Sequence, residues 1–143
     1  MTPPTEPVGS APERRTPADA GRFVRVALSV LGAVALVLRR HYTGPFEAAV
    51  WAYGGNVAVS FAVYFMLAAS LLSARLGGPL TAGAALLAVE AFELTDGFGV
   101  MRNVYDRLDL VANAVGVALA WAIDTVLRAG RARGRGLAGG SAA

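Results

Sequence analysis

A chain of 143 residues that is 55% hydrophobic, with a mean hydropathy of +0.51, is too apolar to cover a small water-soluble core with charge. The absence of cysteine excludes a disulfide framework, thiolate metal sites and a cysteine nucleophile. The net charge of +3 arises from 13 arginines and no lysine, a basic excess expected of membrane-flanking segments, so it gives no indication of nucleic-acid binding.

Residues 1–20 are Pro-rich and polar without apolar periodicity, and are expected to be a disordered cytoplasmic N-terminus. The first apolar run predicts a span over about Phe23–Leu38, with Arg22 and Arg25 extending it by snorkelling and Arg39, Arg40 and His41 ending it. No cleavable signal peptide is expected, because no small-residue cleavage site follows that run. Tyr42 to Gly55 mixes a Gly-Pro break, Glu47 and the aromatics Tyr42, Phe46, Trp51 and Tyr53, which suits an interfacial segment at the outer surface. A second span is expected over about Asn56–Ala74, a short turn at Arg75–Pro79, and a third span over about Leu80–Asp96 that closes an antiparallel hairpin. After a polar loop, the fourth span runs over about Leu108–Leu127. The fold class is thus all-α and integral to the membrane, about four transmembrane helices in a small antiparallel bundle over residues 21–128, followed by a flexible Arg/Gly-rich tail at 129–143.

Four spans place nine arginines on one side (14, 15, 22, 25, 75, 128, 131, 133 and 135) and four on the other (39, 40, 102 and 107). The richer side is expected in the cytoplasm, which puts both termini there in a multi-pass cell-membrane protein. If the first run were only interfacial, three spans would remain and the N-terminus would move outside.

Candidate site residues cluster towards the outer end. Glu90 and Glu93, at i and i+3 in the third span, share a face, as do Asp109 and Asn113 at i and i+4 in the fourth. At 1.5 Å per residue, Glu93 and Glu90 lie roughly 5 and 10 Å inward from the outer end, matching the depth of Asn113. Intramembrane carboxylates are rare and costly and need partners, and the joining loop offers Asp96, Arg102, Tyr105, Asp106 and Arg107. A paired arginine would hold a carboxylate through two parallel hydrogen bonds. The plainer reading is that these groups are solvated at helix ends, with Asp109 serving as a cap. Ala112, Gly116 and Ala120 form a small-residue stripe for helix packing. Asp124 and Arg128 read as a local i,i+4 pair near the inner surface, Asn56 and Ser60 as candidates for hydrogen bonds between helices, and His41 as interfacial. A lone histidine makes no usual zinc set, so no metal and no cofactor are expected. The recognised catalytic motifs are missing, so no catalytic residues are assigned and an enzyme is not expected.

The stretch from Glu90-Ala-Phe-Glu93 to Tyr105-Asp106-Arg107-Leu108-Asp109, with Arg102 in the loop and Asn113 and Gly116 following, resembles the VanZ-like family of small multi-pass membrane proteins. In that family an acidic helix precedes a loop Arg and an Asp-x-x-x-Asn-x-x-Gly helix start; Glu93 stands where many members carry Gln. The resemblance covers about residues 80–125. It implies a cell-envelope role of the kind for which the family is named, low-level resistance to the glycopeptide antibiotic teicoplanin, and it assigns Arg102 as the cation of the polar site. The expected function is therefore an accessory membrane protein with an outward-facing polar site formed by Glu90, Glu93, Arg102, Tyr105, Asp106, Asp109 and Asn113. The alternatives are a small proton-coupled transporter, favoured by Glu90, or a structural membrane subunit whose polar pairs only register helices. The expected partners are membrane lipids and an envelope ligand or lipid headgroup, with a homo-oligomer also compatible.

Overall fold

A computed structural model describes residues 17–95 and 106–140, which are helical apart from short connections. The helices are α1 (Pro17–Leu38), α2 (Glu47–Ala69), α3 (Leu71–Leu94) and α4 (Arg107–Gly140), with a short 3-10 turn at Arg39–His41 after α1. Three of them contain stretches long and apolar enough to cross a membrane: Asp19–His41, Glu47–Ala69 and Arg107–Arg133.

The helix limits differ from the sequence expectation in five places. Helix α1 begins at Pro17, inside the stretch expected to be disordered. Helix α2 begins at Glu47 and absorbs most of the segment read as interfacial. Its start is set by a bend in which Phe46 adopts a left-handed conformation (φ 62°), Tyr42 Oη donates to the Pro45 carbonyl, and Trp51 Nε1 donates to that of Tyr42. Helix α2 also stops earlier, because Ser70 is extended. Ser70 Oγ donates to the Leu67 carbonyl at 2.6 Å and Ser73 Oγ to that of Ala68 at 2.8 Å, so two serines satisfy carbonyls that the helix end leaves open. The expected turn at Arg75–Pro79 corresponds to a break inside α3, where Gly77 has φ 75° and ψ 172°, a conformation that only glycine adopts without strain. Finally, α4 continues as helix to Gly140, through the segment expected to be a flexible tail.

Helix α2 is central. Helix α1 lies against it antiparallel: Ser29 Oγ donates to the Ala62 carbonyl at 2.9 Å, and Gly32 faces Ala58 and Ala62. Helices α3 and α4 pack on α2 and on each other, around a core of Tyr64, Phe65, Ala68, Ala85, Val89, Val117 and Ala120. Phe65 makes edge-to-face contacts with Phe61 and Tyr64, at centroid distances of 4.9 and 5.3 Å. Because α1 packs mainly on α2, two grooves run along α2, one between α1 and α3 and one between α1 and α4.

The exterior of this bundle is more apolar than that of a water-soluble protein. Ser60, Thr81, Asn113 and Asp124 are buried, while Phe23, Val30, Leu87, Val115 and Val126 lie exposed. Large contiguous apolar surfaces of this kind belong against lipid or a partner.

Candidate functional site

Hydrogen bonds between α2 and α4 form three rungs. Tyr53 Oη donates to Asp106 Oδ2 at 3.3 Å, Asn56 Nδ2 to Asp109 Oδ1 at 2.6 Å, and Ser60 Oγ to Asn113 Oδ1 at 2.7 Å. Each rung joins residues 53 positions apart in the sequence, so the two helices run parallel and in register. Polar residues at i, i+3 and i+7 on each helix make one straight face, which is why every rung closes. The backbones come close just beyond the last rung: a Cβ at Gly116 would lie 2.5 Å from the Val57 carbonyl oxygen and 2.9 Å from Ser60 Cβ. Ala112 and Ala120, the other members of the small-residue stripe, are buried.

Two roles are redistributed from the sequence reading. The cap of α4 is Asp106, whose Oδ1 accepts the Leu108 amide at 3.0 Å; Asp109, the residue suggested by sequence, is instead engaged by Asn56. The side-chain donors to Asp106, Asp109 and Asn113 come from α2.

Glu90 of α3 meets the ladder at its innermost rung. Ser60 occupies Asn113 Oδ1, which leaves the Asn113 amide as the donor to the Glu90 carboxyl group. Glu90 Oε2 is buried without a hydrogen-bond partner. Glu93 lines the α1–α3 groove together with Asp109 and Asn113. Arg102 and Tyr105, like Asp96, lie outside the described residues.

The cation that the described residues bring to this groove is Arg39. Its guanidinium lies directly over Gly55 of α2, where any side chain would collide with it, and it donates to the Trp51 carbonyl over a long 3.4 Å contact. The sequence reading places Arg39 at the end of the first span and among the four arginines of one side, with no role in the polar site. The missed signal was the unshielded backbone at Gly54-Gly55, opposite a residue that follows α1 by one position.

The α1–α3 groove has a volume of about 720 Å³. One end is polar, with Arg39, Asn56, Glu93, Asp109 and Asn113, and the rest is apolar, walled by residues such as Leu36, Val59, Val63, Met66, Val89 and Phe92. A pocket polar at one end and oily along its length suits an amphiphile whose head finds hydrogen-bond partners at one depth.

A second polar cluster lies towards the opposite end. Asp124 is fully buried and accepts from Arg25 Nε at 2.8 Å, from Arg128 Nε at 2.7 Å and Nη2 at 2.6 Å, and from Tyr64 Oη at 3.2 Å. The local pair inferred from sequence is thus half of a junction tying α1, α2 and α4. No family model, no curated protein and no solved structure matches this chain.

Proposed function

We propose that the chain is a four-span cell-membrane protein, cytoplasmic at both termini, that receives an envelope amphiphile in the α1–α3 groove and serves an accessory, VanZ-like role. The carrying observation is the groove itself, with charged and amide groups confined to one end of an apolar trough. The parallel register of α2 and α4 supports four crossings. Both helices begin at the same end of the bundle, so the chain must return between them, and α3 lies antiparallel to both: Gly78 is beside Trp121, whereas Glu90 is beside Asn113. Membrane insertion also agrees with the apolar exterior and with the nine-to-four arginine asymmetry. The likeness of Glu90, Glu93, Asp109, Asn113 and Gly116 to the family pattern supports the envelope role.

The test is to fill the trough. Purified wild-type protein should retain a lipid-like ligand from its host membrane, detectable by native mass spectrometry. Val59→Trp, placed on the trough floor, should lose that ligand and abolish complementation of a deletion strain scored for glycopeptide tolerance, while Val115→Trp on the outer surface should retain both. Wild-type behaviour of Val59→Trp would refute the proposal.

One observation favours a second reading as a proton-coupled carrier: the buried Glu90 Oε2 has no donor. In that case Glu90→Gln should abolish transport while leaving the ligand bound.

A further inference from the structure

Arg39 belongs to two cavities. It lines the polar end of the α1–α3 trough, and it also lines a smaller cavity of about 280 Å³ whose other walls are Arg40 and Trp51. The two spaces therefore meet at one guanidinium group. The absence of a side chain at Gly55 lets that group lie against the α2 backbone between them. The backbone behind the smaller cavity is pinned. The Tyr42 amide donates to the Arg39 carbonyl at 3.2 Å, closing the 3-10 turn that carries both arginines, and Trp51 Nε1 donates to the Tyr42 carbonyl at 3.1 Å, tying that turn to α2. Less order then has to be imposed when the arginines close on a ligand.

The acidic groups of this end are arranged on one side of Arg39. Glu93 and Asp109 line the trough, and neither lines the smaller cavity. Asp109 accepts from Asn56, Glu93 has a partner of its own, and Glu90 stands beside Asn113 at the innermost rung. Glu47, one turn before Trp51 on α2, is exposed. Both ion pairs among the described residues are made by Asp124, so no described carboxylate pairs with Arg39 or Arg40. The bond from Arg39 Nη1 to the Trp51 carbonyl uses one of the five N–H groups that a guanidinium offers. An anion is thus favoured between the two arginines and opposed at the carboxylates of the trough. Planar guanidinium groups match phosphate oxygens in pairs. Along α2 the trough runs from Ala52 to Met66, about 21 Å at 1.5 Å per residue, which exceeds half of a hydrocarbon core of about 30 Å.

We propose that the trough takes an amphiphile with a phosphate headgroup, the phosphate held by Arg39 and Arg40 in the smaller cavity and the chain laid along the α1–α3 trough. This rests on the reading of the trough as an amphiphile site and adds the chemistry of the head. Glu93 and Asp109 keep the phosphate from entering the trough and accept hydrogen bonds from hydroxyl groups next to it.

The experiment measures binding to the detergent-purified full chain of two probes with the same acyl chain, oleoyl lysophosphatidate and monooleoylglycerol, which differ by the phosphate alone. Wild type should bind the phosphate ester about tenfold more tightly. Arg40→Gln, at a residue that does not line the trough, should weaken that binding about fivefold, the contribution of one basic residue near an anionic surface. Its binding of monooleoylglycerol should stay within about twofold of wild type, which also reports that the variant is folded. Arg133→Gln, exposed near the far end of α4, should change neither affinity, and Val59→Trp should lose both probes. Equal wild-type affinity for the two probes, with both lost in Val59→Trp, would overturn the phosphate head and leave the amphiphile trough standing. Undiminished binding of both in Val59→Trp would overturn the trough and this inference with it. Equal losses for Arg40→Gln and Arg133→Gln would show diffuse attraction to a basic protein. Displacement of the phosphate ester by inorganic phosphate at equal concentration would show that no chain is needed, and either result overturns the site.

Discussion

The same substitution, glycine to alanine, should have opposite effects at two positions in this bundle. At Gly83, in the second half of α3, an added Cβ meets nothing within 4 Å, so Gly83→Ala should gain most of the helix propensity difference, up to about 1 kcal/mol. At Gly116 the Cβ would stand 2.5 Å from the Val57 carbonyl oxygen, some 0.9 Å short of an ordinary contact at 3.4 Å, and 2.9 Å from Ser60 Cβ. Backbone cannot rotate away, so α2 and α4 must separate. A shift of about 0.9 Å would stretch the 2.7 Å Ser60–Asn113 bond to about 3.6 Å, beyond a hydrogen bond, and would leave two buried polar groups unpaired. Losing that bond costs about 1–3 kcal/mol, and the opened contacts forfeit a quarter to a half of their dispersion wells. Against a propensity gain of about 1 kcal/mol, Gly116→Ala should be destabilising by about 1–2 kcal/mol net, so the two variants should lie about 2–3 kcal/mol apart. Unfolding titrations in mixed detergent micelles, followed by circular dichroism, would measure the difference. Equal midpoints would refute the close approach of α2 and α4 on which the ladder depends.

Three further outcomes are expected. Asp124→Ala strands two guanidinium groups at the α1–α2–α4 junction and should cost about 3 kcal/mol, the low end for breaking a buried pair because Arg128 is partly exposed; the same unfolding titration reads it. Gly55→Ala pushes only against the flexible end of Arg39, so it should leave stability within about 1 kcal/mol of wild type yet abolish ligand retention in the α1–α3 trough as fully as Arg39→Gln does. In the naturally cysteine-free chain, Thr43→Cys and Arg107→Cys should react with an impermeant thiol reagent from outside intact cells and Arg75→Cys should not, because four crossings place the first two at one end of the bundle and the third at the other. Reaction of the position 75 variant from outside would refute the four-span topology.

The helical faces were legible in the sequence because helical phase is a local property: Asp109 and Asn113 on one face, Glu90 and Glu93 on another, and Gly116 among small residues. The sequence reading lets the Glu90/Glu93 and Asp109/Asn113 faces meet at one depth, as Glu90 and Asn113 do, but it did not reveal that α2 meets the second face along a ladder. Asn56 and Ser60 were recognised as capable of hydrogen bonds between helices, and Tyr53 was assigned to the interface, but the matching i, i+3, i+7 spacing of 53/56/60 and 106/109/113 is visible once the two sets are laid side by side. The early start of α2 was hidden by residues such as Glu47, Trp51 and Gly54, which suit a membrane surface whether helical or not. Its early end at Ser70 was masked by the stronger punctuation of Gly77-Gly78-Pro79. The neighbours of Asp124 were out of reach for another reason. Arg128 is a local partner, but Arg25 lies 99 residues away and reads just as well as a snorkelling residue.

The parallel register of α2 and α4 also has a consequence for biogenesis. Asn56, Ser60 and Glu90 are synthesised before Asp109 and Asn113, so under the four-span topology proposed above the first three helices would enter the bilayer with the polar half of the ladder facing an empty position. Until α4 arrives those groups must be satisfied by water, by the insertion machinery or by one another, at the cost that unpaired polar groups carry in hydrocarbon. The last helix therefore acts as a completion step: it is the element whose arrival converts three separately tolerable helices into a closed bundle. A chain stalled before α4 would present a stripe of unpaired amide, hydroxyl and carboxyl groups to lipid, the feature by which membrane quality control could distinguish it from the finished protein.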